Sequence, residues 1–166
     1  MTDPQRVVLS VGAGGDVGSC WEGCKVVRLD IDPATNPDIV ASMTDMGAIG
    51  PFDVVYCCHA LEHLYPHEVP RALSEFHRVL SPGGTVVILV PDLQDVLPTD
   101  DELPDMGGLS GLHLYYGDAR LIESMPYMAH HSGFVEKTLA DCMQKAGFTV
   151  LMKRMSKFNL MGIGKK

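Results

Sequence analysis

The stretch Val7-Val-Leu-Ser-Val-Gly-Ala-Gly-Gly-Asp-Val-Gly18 governs how the rest of the chain is read. A short, nearly continuous apolar run reads as a strand buried on both faces, and Gly12, Gly14 and Gly15 follow it without a spacer. Glycines at such a place let the backbone take φ values that other residues avoid and come close to a ligand. The next apolar run, residues 26–29, leads into Asp30-Ile31-Asp32. Asp30 thus falls 18 residues beyond Gly12, close to the distance at which an open parallel sheet sets a carboxylate against ribose hydroxyls. The other reading of Asp30 is a loop carboxylate capping the turn at Pro33. The glycine spacing disfavours a dinucleotide, because Val17 stands where G-x-G-x-x-G carries its third glycine.

Further β-branched apolar runs occur at residues 52–56 and 85–90, with a shorter pair at Ile39–Val40 reached through PATNP, too brief for a full crossover helix. Val69, Ala72, Leu73, Phe76, Val79 and Leu80 recur at three- and four-residue intervals and predict a helix, stopped by Pro82-Gly83-Gly84. A second helix is expected over residues 135–145, with Leu139, Cys142 and Met143 as its apolar stripe. Residues 148–155 and 158–163 flank Ser156-Lys157 as a terminal hairpin. This order implies an α/β, Rossmann-like open twisted sheet, mostly parallel with an antiparallel C-terminal edge strand, in a single domain spanning residues 1–166. Residues 92–134, broken by Pro98, Pro104, Gly107, Gly108, Gly111 and Pro126, fit least well. They form either a lid-like insertion over a ligand or a surface loop.

Hydrophobic residues make up 46% of the 166 and charged residues 20%, a balance that supports an ordinary core and order nearly throughout. The longest apolar stretch, residues 85–91, is far short of the roughly 20 residues a membrane-spanning helix needs, and no export signal opens the chain. No membrane association is expected. Five cysteines, an odd number without framework or zinc-ribbon spacing, suggest a reducing cytoplasm. A net charge of −8 repels phosphate backbones, so no nucleic-acid partner is expected. The one basic cluster, Lys153, Arg154, Lys157, Lys165 and Lys166, reads as a solvated edge.

Taken in order, VVLSVGAGGDVG, VVRLDIDP, FDVVYCCHALEHL and FHRVLSPGGTVVILVPD resemble the successive motifs of class I S-adenosylmethionine-dependent methyltransferases, and AGF with the terminal hairpin resembles their closing elements. The resemblance covers well over half of the chain. It implies a seven-stranded sheet whose last strand is antiparallel, with S-adenosylmethionine as cofactor and S-adenosylhomocysteine as product. It further implies that Gly12, Ala13, Gly14 and Gly15 cradle the amino-acid part of the cofactor, that Asp30 holds its ribose, and that Ile31 packs on the adenine. Ser42 and Met43 would flank the adenine, in a segment where the family often carries an acidic residue and this chain offers Asp45 only further along. Ser10 and Asp16 also depart from the pattern, replacing an acidic residue and a glycine. Asp16 could bind the methionine ammonium or cap a helix beginning at Val17.

His59 opens the HxLEH run that this family often has beside the cofactor's methionine end, so it is expected in the cofactor site and as a candidate catalytic base. His59 and His63 are four apart and could share a helical face as metal ligands, but no HExxH or third ligand accompanies them, and no metal is expected. Glu62 and His63 read as structural. His113, Tyr115, Tyr116, His130 and His131 are candidates for the acceptor site, with a packing role as the alternative for each. Cys57 and Cys58 read as small hydrophobes, and the ten methionines as core or pocket fillers. Methyl transfer to an O or N atom of a small molecule is the leading expectation. The alternative is a non-catalytic S-adenosylmethionine-binding or interaction module. With six residues ahead of the first strand, the site is expected to be open or closed by a neighbouring subunit, so a homo-oligomer is compatible.

Overall fold

The computed structural model describes residues 5–14, 21–104, 106–155 and 158–166. Gly15 of the glycine segment, Asp16 and Val17 after it, and the Ser156-Lys157 turn lie outside the described residues. The strands are β1 (Val7–Val11), β2 (Lys25–Asp30), β3 (Ile39–Val40), β4 (Phe52–Cys58), β5 (Leu80–Pro91), β6 (Thr149–Met155) and β7 (Asn159–Lys165). They form one sheet in the order β3-β2-β1-β4-β5-β7-β6. β1 to β5 run parallel, and β7 is antiparallel to both β5 and β6. The mixed sheet expected from the sequence is therefore present, with the reversed strand standing one place in from the rim. A side chain at Gly162 would meet Met143 Sδ, so the bare backbone of β7 is what lets the covering helix settle on this interior strand.

That helix, α4 (Glu136–Lys145), buries Leu139 and Met143. α1 (Val69–Val79) buries Val69, Ala72, Leu73, Phe76 and Val79, the face its periodicity predicts, and packs against α4 and β5. Removing a fully buried side chain such as Phe76 from water contributes about 1.5–3 kcal/mol. Pro82-Gly83-Gly84 plays a different part from the expected one. α1 already ends at Val79, and the β4–β5 register slips from Phe52↔Leu80 to Val54↔Thr85, so these residues bulge out of β5.

Residues 92–134 hold two short helices, α2 (Gly111–Tyr116) and α3 (Ala119–Ile122), and a 3₁₀ turn at Pro126–Met128. Both ends of this segment meet at the sheet, where Asp92 bridges to Phe134 and Leu93 N donates to Phe134 O at 3.0 Å. The basic cluster is more than a solvated edge. Arg154 Nε reaches buried Asp92 at 2.6 Å and its Nη2 reaches Asp95 at 2.8 Å, while Lys166 Nζ donates to Leu80 O at 2.7 Å. Among the described residues no helix is long and apolar enough to cross a membrane.

Candidate functional site

The chain passes from β1 to β2 on one side and returns to β4 on the other, so the segments that leave the paired C-terminal ends of β1 and β4 part and open a crevice at the point where strand order reverses. A cavity of about 740 Å³ opens there. Gly12 and Gly14 form its floor, both at positive φ (63° and 52°). A Cβ on Gly12 would run into the Ala60 side chain, so both the conformation and the close approach demand glycine.

Asp30 locks this floor. It is buried, its Oδ2 accepts from Gly14 N at 2.7 Å, and its Oδ1 accepts from Asp32 N at 2.9 Å. The carboxylate thus fixes the glycine turn while lining the cavity. The cap of the following turn is Asp32, whose Oδ1 accepts from Ala34 N at 2.8 Å, so the capping role weighed for Asp30 belongs two residues on. Ile31 is 61% exposed into the crevice, an unusual setting for isoleucine and suited to a flat apolar ligand. Met43 and Ser42 line the same side, and the Ser42 hydroxyl is engaged with Thr44 Oγ1 at 2.8 Å. Ala13 is buried behind the floor, with its N–H donating to Leu29 O, and does not line the cavity. Gly15 lies outside the described residues.

His59 sits just past β4 at φ 48°, its N–H donating to Leu89 O at 2.9 Å, and it lines both this cavity and a neighbouring one of about 340 Å³. Its Nδ1 lies 3.3 Å from Glu62 Oε1, and that contact holds the imidazole above its ordinary value against the opposing effect of burial. Glu62 is 1% exposed and contributes its backbone carbonyl to His131 N (2.9 Å) and Ser132 N (3.0 Å). Ser132 Oγ donates to Leu64 O at 2.6 Å. These bonds stitch residues 129–132 onto the 3₁₀ turn Leu61–His63.

The second cavity is walled by Met106, Leu109, His113, Leu114, Leu121 and His130 from residues 92–134, and by Pro91 and Asn159 from the strand ends. The five acceptor candidates separate here. His131 lines the larger cavity and stacks on Tyr65, ring centroids 4.1 Å apart. His113 and His130 line the smaller one; His113 also caps α2 through Ser110, and burial pushes the His130 imidazole down. Tyr115 donates its hydroxyl to Val96 O at 3.0 Å and Tyr116 points to solvent, 63% exposed, and neither lines a cavity. Cys57 is fully buried and burial drives its thiol far above the ordinary range, consistent with the packing role expected of it.

Met125 and Met128 line the larger cavity, as the pocket-filling role read for the methionines allows, whereas sequence reasoning missed Tyr65 and Tyr127 there. Tyr127 Oη donates to Asp32 Oδ2 at 2.7 Å, a contact that holds the Asp32 carboxyl below its ordinary value and ties residues 92–134 to the loop after β2. Tyr65 lies two residues beyond the LEH run and could have been found by extending it, whereas nothing local marks Tyr127.

The chain matches the family model described as "Methyltransferase domain" over residues 3–153. The chain belongs to the methyltransferase-domain family. No curated protein sequence matches this methyltransferase-domain chain. Among solved structures it is similar to a SAM-dependent methyltransferase from Archaeoglobus fulgidus, 18% identical at a TM-score of 0.71, covering 98% of this chain and 87% of that one. An S-adenosylmethionine-dependent methyltransferase from Mesorhizobium loti is 17% identical at 0.69, with 97% and 91% covered. The 1,6-didemethyltoxoflavin-N1-methyltransferase of Burkholderia thailandensis, solved with 1,6-didemethyltoxoflavin and S-adenosylhomocysteine, is 18% identical at 0.64, with 98% and 71% covered. These likenesses confirm the methyltransferase fold expected from the sequence motifs.

Proposed function

We propose that this protein transfers a methyl group from S-adenosylmethionine to an oxygen or nitrogen atom of a small-molecule acceptor. The observation that carries the reading is the pair of adjoining cavities, one built on the glycine turn and Asp30, the other walled mainly by residues 92–134, with His59, His63 and Met128 lining both. The larger volume, about 740 Å³, lies within the roughly 300–1,000 Å³ typical of small-molecule sites. The Burkholderia thailandensis relative, which holds a small-molecule substrate with the demethylated cofactor, supports the same two-ligand arrangement.

The residues present fit the cofactor. Gly12 and Gly14 give a backbone cradle for its amino-acid part, Asp30 retains carboxylate lone pairs for ribose hydroxyls, and Ile31, Ser42 and Met43 flank the adenine. S-adenosylmethionine supplies a methyl group on sulfur with a good leaving group behind it. The protein's task is then alignment more than chemical activation. His59 stands where the cavities join and takes the acceptor's proton where one must leave, with Glu62 orienting its ring. His113 and His130 line the acceptor chamber and His131 its approach, while residues 92–134 serve as the lid, latched through Tyr127 and Asp32. The single-domain arrangement over residues 1–166, a cytoplasmic setting and a chain free of nucleic-acid partners belong to the same reading, the last supported by the net charge of −8.

Calorimetric titration with S-adenosylmethionine, S-adenosylhomocysteine and NAD tests the cofactor site, and release of S-adenosylhomocysteine on incubation with small-molecule acceptors tests transfer. Micromolar binding of both sulfur ligands without NAD binding, followed by turnover, is expected. Binding without turnover on any acceptor would favour the non-catalytic module, and preferential NAD binding would overturn the cofactor reading.

A further inference from the structure

Glu62, His63 and His130 meet in the wall of the smaller cavity, each offering a ligating atom, and these atoms lie within 4.8 Å of one another. The partners already engaged identify the free atoms. His63 Nδ1 faces the Ala129 carbonyl at 3.2 Å, His130 Nδ1 faces the Leu114 carbonyl at 2.9 Å, and Glu62 Oε1 faces His59. An imidazole that donates its Nδ1 proton to a backbone carbonyl keeps the Nε2 lone pair for another partner, and this is how metal-bound histidines are commonly fixed in tautomer and orientation.

Independent of the histidines, Glu62 Oε2 is buried and has no hydrogen-bond partner among the described residues, on a side chain that is 1% exposed. A buried carboxylate oxygen left alone is costly, and two imidazole nitrogens that present lone pairs, acceptors themselves, do not answer it. A cation at the centre of the three satisfies all of them at once. The sequence spacing offered His59 and His63 without a third ligand. In the fold His130 supplies that ligand from the distal segment, and Glu62 takes the place of His59, which instead holds the carboxylate's other oxygen.

We infer that Glu62, His63 and His130 form a binding site for a borderline divalent transition ion of the zinc class, with an open coordination position toward the smaller cavity. Two imidazoles and one carboxylate are a donor set for zinc, cobalt or iron(II), whereas magnesium and calcium select all-oxygen sites. Bonds of about 2.0–2.1 Å set tetrahedral edges of roughly 3.4 Å, shorter than the 4.8 Å within which the three residues bring ligating atoms, so the side chains draw together when the ion binds. Three protein ligands leave a fourth position, where an oxygen or nitrogen of the cavity's occupant completes the shell. The site stands on these three side chains and does not depend on the methyl-transfer reading.

The test titrates chelator-treated protein with Co²⁺, followed by visible absorption, with Zn²⁺ competition and Mg²⁺ as the control ion. Expected are one equivalent of Co²⁺, a d–d spectrum of a four- or five-coordinate ion, displacement by Zn²⁺ and indifference to millimolar Mg²⁺. His130→Gln is expected to weaken Co²⁺ by more than about tenfold, since even outer-shell partners of metal ligands cost 10–100-fold when removed. His63→Gln repeats the test from the other ligand, with the far-UV spectrum confirming the fold of each variant. Absence of saturable one-equivalent binding, or equal Co²⁺ affinity in the folded wild type and both variants, would overturn the site.

Discussion

The two cavities are built by different means. The floor of the larger one is made from backbone and short side chains at the tips of neighbouring strands, held by one carboxylate bonded to two main-chain N–H groups. The wall of the smaller one is a segment with little regular structure, fastened at Asp92–Phe134, at Glu62–Ser132 and at Tyr127–Asp32. A floor of the first kind has almost no freedom to vary, because sterics decide it. A wall of the second kind can be rebuilt residue by residue while the fold stands, which suits the part of an enzyme that selects its substrate.

Gly12→Ala should separate the two regions most sharply. A methyl group there meets Ala60 at a positive φ, and strain and overpacking of about 1–3 kcal/mol each should abolish measurable cofactor binding and lower Tm. Pairing it with Ala60→Gly should recover part of the Tm loss but not the strain. Full recovery would show that contact with Ala60 was the whole effect. Asp30→Ala should weaken S-adenosylmethionine by roughly 10–100-fold in calorimetry, in keeping with about 1.5–3 kcal/mol for hydrogen bonds to a charged group, and an unchanged Kd would remove Asp30 from the site.

A smaller effect is expected at the stitched seam. Ser132→Ala removes the 2.6 Å bond to Leu64 O, costing about 1 kcal/mol and lowering Tm by roughly 2–4 °C, with the acceptor's KM moving more than the cofactor's Kd. The reverse order would mean that the seam supports the floor as well. The smallest effect belongs to Tyr127→Phe, where a solvent-exposed contact is lost and cofactor affinity should fall by about two- to threefold, within the range of surface hydrogen bonds. Because the Asp32 carboxyl lies below its ordinary value, the Tyr127 contact should be intact at neutral pH and weaken as pH falls through that lowered value. In Tyr127→Phe the Asp32 carboxyl, followed by NMR titration, should move back up.

The same contrast governs what could be read from the chain alone. Strands buried on both faces announce themselves as apolar runs, α1 by its period, and the glycine turn by residues that only a positive φ or a close approach explains. The place of Asp30 at the cavity floor was legible because it ends the strand that pairs beside β1, whereas its bond to Gly14 was not read from the sequence. Tyr127 was not, since its bond to Asp32 depends on where residues 92–134 settle over the strand tips, and no local pattern encodes that. Tyr115 and Tyr116 were candidates by residue type only, and α2 turns one toward Val96 and the other to solvent. The Pro82-Gly83-Gly84 bulge shows the limit of punctuation signals, because proline and glycine mark a break in hydrogen bonding without saying whether a helix or a strand contains it.

The position of β7 between β5 and β6 has a consequence for how the molecule is made. A ribosome delivers β6 before β7, yet β6 touches the sheet only through β7. As the polypeptide emerges, the outer flank of β5 therefore stays open and adhesive until the final strand arrives to be sandwiched. Arg154, carried on β6, can reach Asp92 and Asp95 only after that event. The smaller cavity, lined by Asn159 of β7, is closed on that side only once this strand is in place.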